Sequence, residues 1–185
     1  MAVWTDCLAA LKHHGLLLAS DPKLPSVSTL VTGEPVRGSW WAHPKSHEIF
    51  RVLEKLAGRP DVLIVKLVAG KDTLVHRRLW PEVLAIGTAG ESWQWKGISA
   101  EARAMHQELS RLGEIETSGP AAAQLEKRLL ARGEQFHTRD GSHAKKIEAW
   151  EQWAARTGLE IGEVSAAVAK RTLESVFPGA RMPWR

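Results

Sequence analysis

The chain has no tyrosine, a single cysteine and no long apolar run. The lone Cys7 excludes an intramolecular disulfide and fits a reducing compartment, so a cytoplasmic location is expected. The longest apolar stretch, Val62 to Ala69, is broken by Lys66 and falls short of the ~20 residues of a membrane span. The opening Met-Ala-Val-Trp-Thr-Asp has neither the basic start nor the apolar core of a secretory signal. There is no P-loop, no dinucleotide-binding glycine fingerprint, no Gly-x-Ser-x-Gly elbow and no HExxH helix. No cofactor and no bound metal are expected.

Of the 185 residues, 44% are hydrophobic and 25% charged, the balance of a folded soluble protein. The length allows one sizeable core or two small ones. The net charge is +4 and the pI about 9.4, which favours a polyanionic partner because neutralised phosphates release counterions. Nine tryptophans against three phenylalanines make indole the dominant aromatic; most are expected to fill core and inter-domain gaps.

Hydrophobic spacing predicts an opening helix with Leu8, Leu11 and Leu16 inward, stopped by Asp21-Pro22. A short helix capped by Ser26 follows, with Val27, Leu30 and Val31 inward, and then a third opening at His43-Pro44 with the stripe Ile49, Phe50, Leu53, Leu56 and Ala57. The β-branched runs 62–68 and 73–79, joined through Ala69-Gly70-Lys71-Asp72, predict a hairpin. Another helix starts at Trp80-Pro81. In the second half the spacing predicts a helix capped by Ser99 with Ala102, Met105, Leu109 and Leu112 inward, a short extended piece at 114–117, and a helix from Pro120. A hairpin turning at Arg139-Asp140-Gly141 comes next, then helices over about 143–157 and 163–176.

The order helix, helix, helix, hairpin is that of a winged helix. The expected fold is α+β, mostly helical, with two tandem winged-helix-like units carrying short hairpin wings. The first unit spans 1–88 with its hairpin at 62–79. A Trp-rich linker covers 89–97, and the second unit with C-terminal helices covers 98–185.

Residues 99–157 resemble the winged-helix units of bacterial DNA-repair proteins, including AlkZ-type DNA glycosylases. The resemblance lies in the helix Ile98 to Leu112, the run Leu125-Glu126-Lys127-Arg128-Leu129-Leu130, and Gln135-Phe136-His137-Thr138 with Gly141-Ser142-His143-Ala144-Lys145. The motifs Gly38 to Pro44 and Val75 to Pro81 resemble an uncharacterised bacterial family. The resemblance implies nucleic-acid contact. The Gln-apolar-Gln catalytic motif of those glycosylases is not matched by Gln94-Trp95-Lys96.

A winged helix reads DNA with a recognition helix and touches the backbone with its wing. The nominated contacts in the first half are Trp40, Trp41, Lys45, Arg51, Lys55, Lys71, Arg77 and Arg78. In the second half they are Lys127, Arg128, Arg139, His143 and Lys145. Trp40 and Trp41 cannot both face one core; either an exposed one beside His43 stacks on an unpaired base or wedges into a base step, or Trp40 or Trp41 clamps the loop onto the first helix. As strand neighbours, Arg77 and Arg78 are expected to point apart. Catalytic candidates are Lys66, if buried and unpaired, and His43, His76 and His137 as acid or base. His43 and His47 stand four apart, a spacing that puts both on one helix face. The expected function is binding of duplex DNA in repair or regulation. Two alternatives are an enzyme that processes damaged bases or abasic sites, as a DNA glycosylase or lyase, and a protein-interaction module.

Overall fold

A computed structural model describes residues 3–117, 119–137 and 143–185. The turn expected at Arg139, and the side chains of His137 and His143, lie outside the described residues. Chain contacts divide the protein into two compact units, Met1–Trp80 with Glu174–Arg181, and Pro81–Leu173 with Met182–Arg185. Segment 89–97 thus falls with the second unit. The architecture is α+β with two small antiparallel three-stranded sheets. Among the described residues no helix is long and apolar enough to cross a membrane.

The first unit opens with α1 (Val3–His14), which buries Cys7 and Leu11. Burial pushes the Cys7 thiol up to about 11, with Asp6 adding to the shift. The helix ends earlier than its sequence spacing suggests. Gly15 takes φ +86°, and a Cβ there would fall within 3 Å of the Leu79 and Arg78 side chains. The three leucines that follow form β1 (Leu16–Leu18), all fully buried. A run buried on both faces shows no alternation, so Leu16 read equally well as the tail of the helix.

Helix α2 (Val27–Thr32) is capped as expected: Ser26 Oγ accepts from the Thr29 amide, and Gly33 closes the end in the left-handed region. Leu30 is exposed, and Ser28 takes the inward place, its hydroxyl donating to Ser20. Helix α3 (Ser46–Ala57) buries Ile49, Val52 and Leu56; Phe50 and Leu53 are half-buried and Ala57 is exposed. Strands β2 (Val62–Lys66) and β3 (Asp72–His76) form the hairpin, with Ile64 opposite Leu74 and Lys66 opposite Asp72. They are shorter than expected because 68–70 and 77–79 are 3-10 turns. Strand β1 pairs with the other edge of β3, giving the order β1-β3-β2.

Helix α4 (Trp80–Gly87) leads into the second unit. The expected linker holds a one-turn helix, α5 (Ser92–Trp95), closed by a capping box between Glu91 and Gln94. Gln94 is fully buried. Its Oε1 accepts from the Glu91 amide, and its Nε2 faces the carbonyls of Ile86, Gly87, Arg128 and Leu129 at 3.2–3.5 Å. One side-chain amide thus touches backbone groups from three segments and ties them together.

Helix α6 (Ala100–Leu112), capped by Ser99, buries Ala102 and Leu109; Leu112, expected inward, is exposed. Strand β4 (Glu114–Thr117), α7 (Pro120–Lys127), β5 (Arg132–His137) and β6 (His143–Glu148) follow, with sheet order β4-β6-β5. Residues 143–148, expected at the start of a helix, are the central strand; α8 (Trp150–Thr157) begins only after it. Pairing on both edges outweighs the helical spacing of Ile147, Trp150 and Ala154. The last helix is α9 (Ala166–Val176).

Two buried features hold the second unit's interior in place. Trp150 lies against Gly87 and donates through Nε1 to the Leu129 carbonyl at 2.8 Å; Leu129 itself has φ +52°. The buried Glu148 carboxylate takes the guanidinium groups of Arg132 and Arg156 at 2.9–3.1 Å. Burial alone would raise the Glu148 carboxyl. The hydrogen bonds and charges of Arg156 and Arg132 outweigh it and hold the group below the usual carboxylate range.

A Cβ on Gly87 would meet the Trp150 ring at 2.5–2.7 Å. Gly87→Ala should therefore destabilise the protein by about 1–3 kcal/mol, measured by urea unfolding, because a rigid indole cannot yield. Glu148, held low when folded, contributes stability that is present above its unfolded value near 4.5 and lost as pH falls through the folded value. E148Q should cost about 3 kcal/mol at pH 7, from the uncompensated arginines, and flatten the acid branch of stability against pH.

Candidate nucleic-acid interface

The outer face of α3 is mixed in charge. His47, Glu48, Arg51, Glu54 and Lys55 are all exposed on it. Lys55 places its ammonium 3.8 Å from the centre of the Trp4 ring, a cation–π contact. Lys45, just before the helix, donates to the Val31 carbonyl at 3.3 Å. Among the described residues the Arg51 side chain makes no hydrogen bond or ion pair.

The hairpin commits most of its cations. Lys71 binds the Asp21 carboxylate at 2.6 Å. Burial would raise the Asp21 carboxyl, but Lys71 and the amides of Lys23 and Leu24 outweigh it and lower the group. Lys71 is thus a clasp between the hairpin and the segment before α2. Lys66 pairs with Asp72 at 2.7 Å across the register and is only partly buried, not the unpaired buried amine that a Schiff-base role asks for. Arg77 and Arg78 sit in the 3-10 turn after β3, so strand alternation does not govern them. They still part ways: Arg78 donates to the His13 carbonyl at 2.8 Å, whereas Arg77 is exposed and, among the described residues, without a side-chain partner.

The histidines are placed by backbone contacts. His43 lies before α3, where its Nδ1 accepts from the Lys45 amide and its Nε2 is 3.9 Å from Glu34. It therefore does not share the helix with His47. Among the described residues no three metal-ligating side chains converge. His76 caps the 3-10 turn through Nδ1, and its Nε2 is 3.9 Å from Asp61. Burial lowers the His76 imidazole below its usual 6.5, and Arg78, Lys12 and Arg77 add to this; Asp61 opposes it.

In the second unit Arg128 bridges the carbonyls of Trp93 and Lys96 at 3.0 and 2.7 Å, and Lys145 pairs with the largely buried Glu126 at 2.5 Å. Both are structural partners. Lys127 is exposed at the end of α7, beside a shallow cleft of about 310 Å³ lined by Gly97, Ile98, Ser99, Gln124, Lys127 and Arg128. Glu82, which the sequence does not single out, has a buried Oε2 with no hydrogen-bond partner; burial, with Glu163 adding to it, raises its carboxyl. A single glutamate in the first turn of a helix carries no signal of this in the sequence.

Trp40 and Trp41 form a 3-10 turn with Ala42. Trp40 packs on the first unit's core, while Trp41 is 61% exposed and stacks on Trp40 with ring centres 3.9 Å apart. Of the contacts nominated in the first unit, Trp41, Arg51 and Arg77 are the exposed ones without a hydrogen bond, ion pair or cation–π contact from the side chain among the described residues.

His76 should titrate with a midpoint below 6.5, followed by NMR of the ring carbons, and Asp61→Asn should lower it further by removing the opposing charge. A midpoint at or above 6.5 contradicts this environment. Because the unfolded chain takes up the proton first, His76 should also make stability fall as pH drops through 6.5.

No family model, no curated protein and no solved structure matches the chain.

Proposed function

We propose that the protein binds double-stranded nucleic acid, with α3 entering the major groove and the β2–β3 hairpin serving as a wing. On this reading the first unit is a winged helix and the second a reduced relative of it, lacking one helix. The observation that carries the reading is the element order α1-β1-α2-α3-β2-β3 with sheet order β1-β3-β2. The second unit keeps α6-β4-α7-β5-β6 and the matching order β4-β6-β5. A helix about 10–12 Å across fits the ~12 Å wide major groove, and the 12 residues of α3 run roughly 18 Å along it. Exposed, uncommitted Arg51 and Arg77 supply cations for phosphates.

A second reading, a protein-docking module, is favoured by the neutralised cations. Lys71 and Lys145 are held by carboxylates, and Glu48 and Glu54 interrupt the basic face of α3. The repair-enzyme reading has less support, because Lys66 is paired and His43 and His76 serve the backbone.

Fluorescence anisotropy with a labelled duplex at several salt concentrations separates these. Binding should weaken linearly in log–log form, and Arg51→Ala and Arg77→Ala should each reduce the slope by about 1. Lys71→Ala should change the slope less, since its charge is already met by Asp21. No binding at about 10 µM protein and about 50 mM salt rejects the proposal.

A further inference from the structure

The Trp40-Trp41 pair is only half used by the fold. Trp40 anchors on the core, and Trp41 stacks on it at an interplanar angle of 26°. Phe50 of α3 leans on Trp41 with ring centres 5.6 Å apart. The backbone on both sides is fixed. Gly38 turns at φ +77°, the Ala42 and His43 amides donate to the Ser39 and Trp40 carbonyls, and His43 in turn accepts from the Lys45 amide. The exposed indole is thus a rigid plate held from beneath and from one side. At 61% exposure it presents roughly 150 Å² of surface.

The charges around it favour one kind of occupant. Arg37, Lys45 and Arg51 are exposed along the same stretch of chain, against Glu34 and Glu48. Glu34 approaches His43, and Lys45 is bonded to Val31. Arg37 and Arg51 have no side-chain partner among the described residues. An apolar protein surface laid over the indole would strip water from these guanidinium groups without replacing it. A nucleotide supplies a flat π-face together with flanking phosphates.

We propose that Trp41 is a stacking platform for an unpaired nucleobase, so that the preferred ligand is a duplex with a single-stranded end rather than a continuous one. This rests on the duplex-binding reading above.

The test compares anisotropy titrations of one labelled duplex in three forms: blunt, with a short thymidine overhang, and with that overhang made of abasic sites. The intact protein should bind the thymidine overhang about 5- to 100-fold more tightly than the other two, the range of one stacked base. Trp41→Ala should abolish that preference while leaving blunt-duplex affinity within about twofold, and Trp41→Phe should retain part of it. Thermal unfolding of both variants confirms that they fold. Equal affinity for blunt and overhang duplexes, an abasic overhang as good as thymidine, or a preference that survives Trp41→Ala overturns the proposal while leaving duplex binding intact. Binding to none of the three overturns both readings together.

Discussion

The return strand of each hairpin, β3 in one unit and β6 in the other, is hydrogen-bonded along both edges. Leu74 faces Leu17 on one side and Ile64 on the other; Ile147 faces Ile115 and Gly133. A buried strand must satisfy its amides and carbonyls, and each one left unmade costs about 1–3 kcal/mol. That requirement draws a short strand from far upstream onto the free edge, and the helices follow it. In the second unit it reaches the side chains as well. A Cβ on Gly133, opposite Ile147, would fall 1.8 Å from Oε1 of Glu126, and it is through its other oxygen that Glu126 holds Lys145.

Charge is largely internalised. Of the basic residues nominated for a ligand, Lys71, Arg78, Arg128 and Lys145 instead bind carboxylates or backbone carbonyls of their own chain. Such clasps tie segments together and mute the field at the surface. Each ion pair removes one acid with each base, so the net charge of +4 is unchanged and only its distribution is altered. Of the nominated cations, Arg51, Arg77 and Lys127 are exposed and without a side-chain partner among the described residues, and Trp41 is an exposed indole. Lys170 shows the same habit with aromatics. It pairs with Glu91 and lies 5.9 Å from the ring centres of both Trp93 and Trp184, fixing the indoles of two distant segments.

The elements legible in the sequence were those with strong local signals. The β2–β3 hairpin, the caps Ser26, Gly33 and Ser99, and the start of α4 at Trp80-Pro81 all fall where spacing and turn residues put them. Strand β1 was hidden because three leucines fit a helix tail and a buried strand equally. Strand β6 was hidden because its apolar positions continue into α8 at helical spacing, and only the partner strands decide between the two. The candidate site was legible as residue types but not as availability. Lys71 meets a carboxylate 50 positions away and Lys145 one 19 positions away, which no local pattern encodes. The division of labour within Trp40-Trp41 was foreseeable, since adjacent indoles in a tight turn cannot share one cavity.

The first unit is discontinuous in the chain. Its members include residues 174–181, where the Ala69 amide donates to the Arg181 carbonyl and Phe177 meets His14. Ala69 sits in the left-handed region at φ +52°, a conformation that a distant partner helps to hold. On the ribosome those contacts cannot form until the whole intervening unit has been made. The second unit needs only residues 182–185 beyond its own continuous stretch. The 1–80 stretch is therefore made about 100 residues ahead of the segment that completes its unit, and its nascent form waits without that partner.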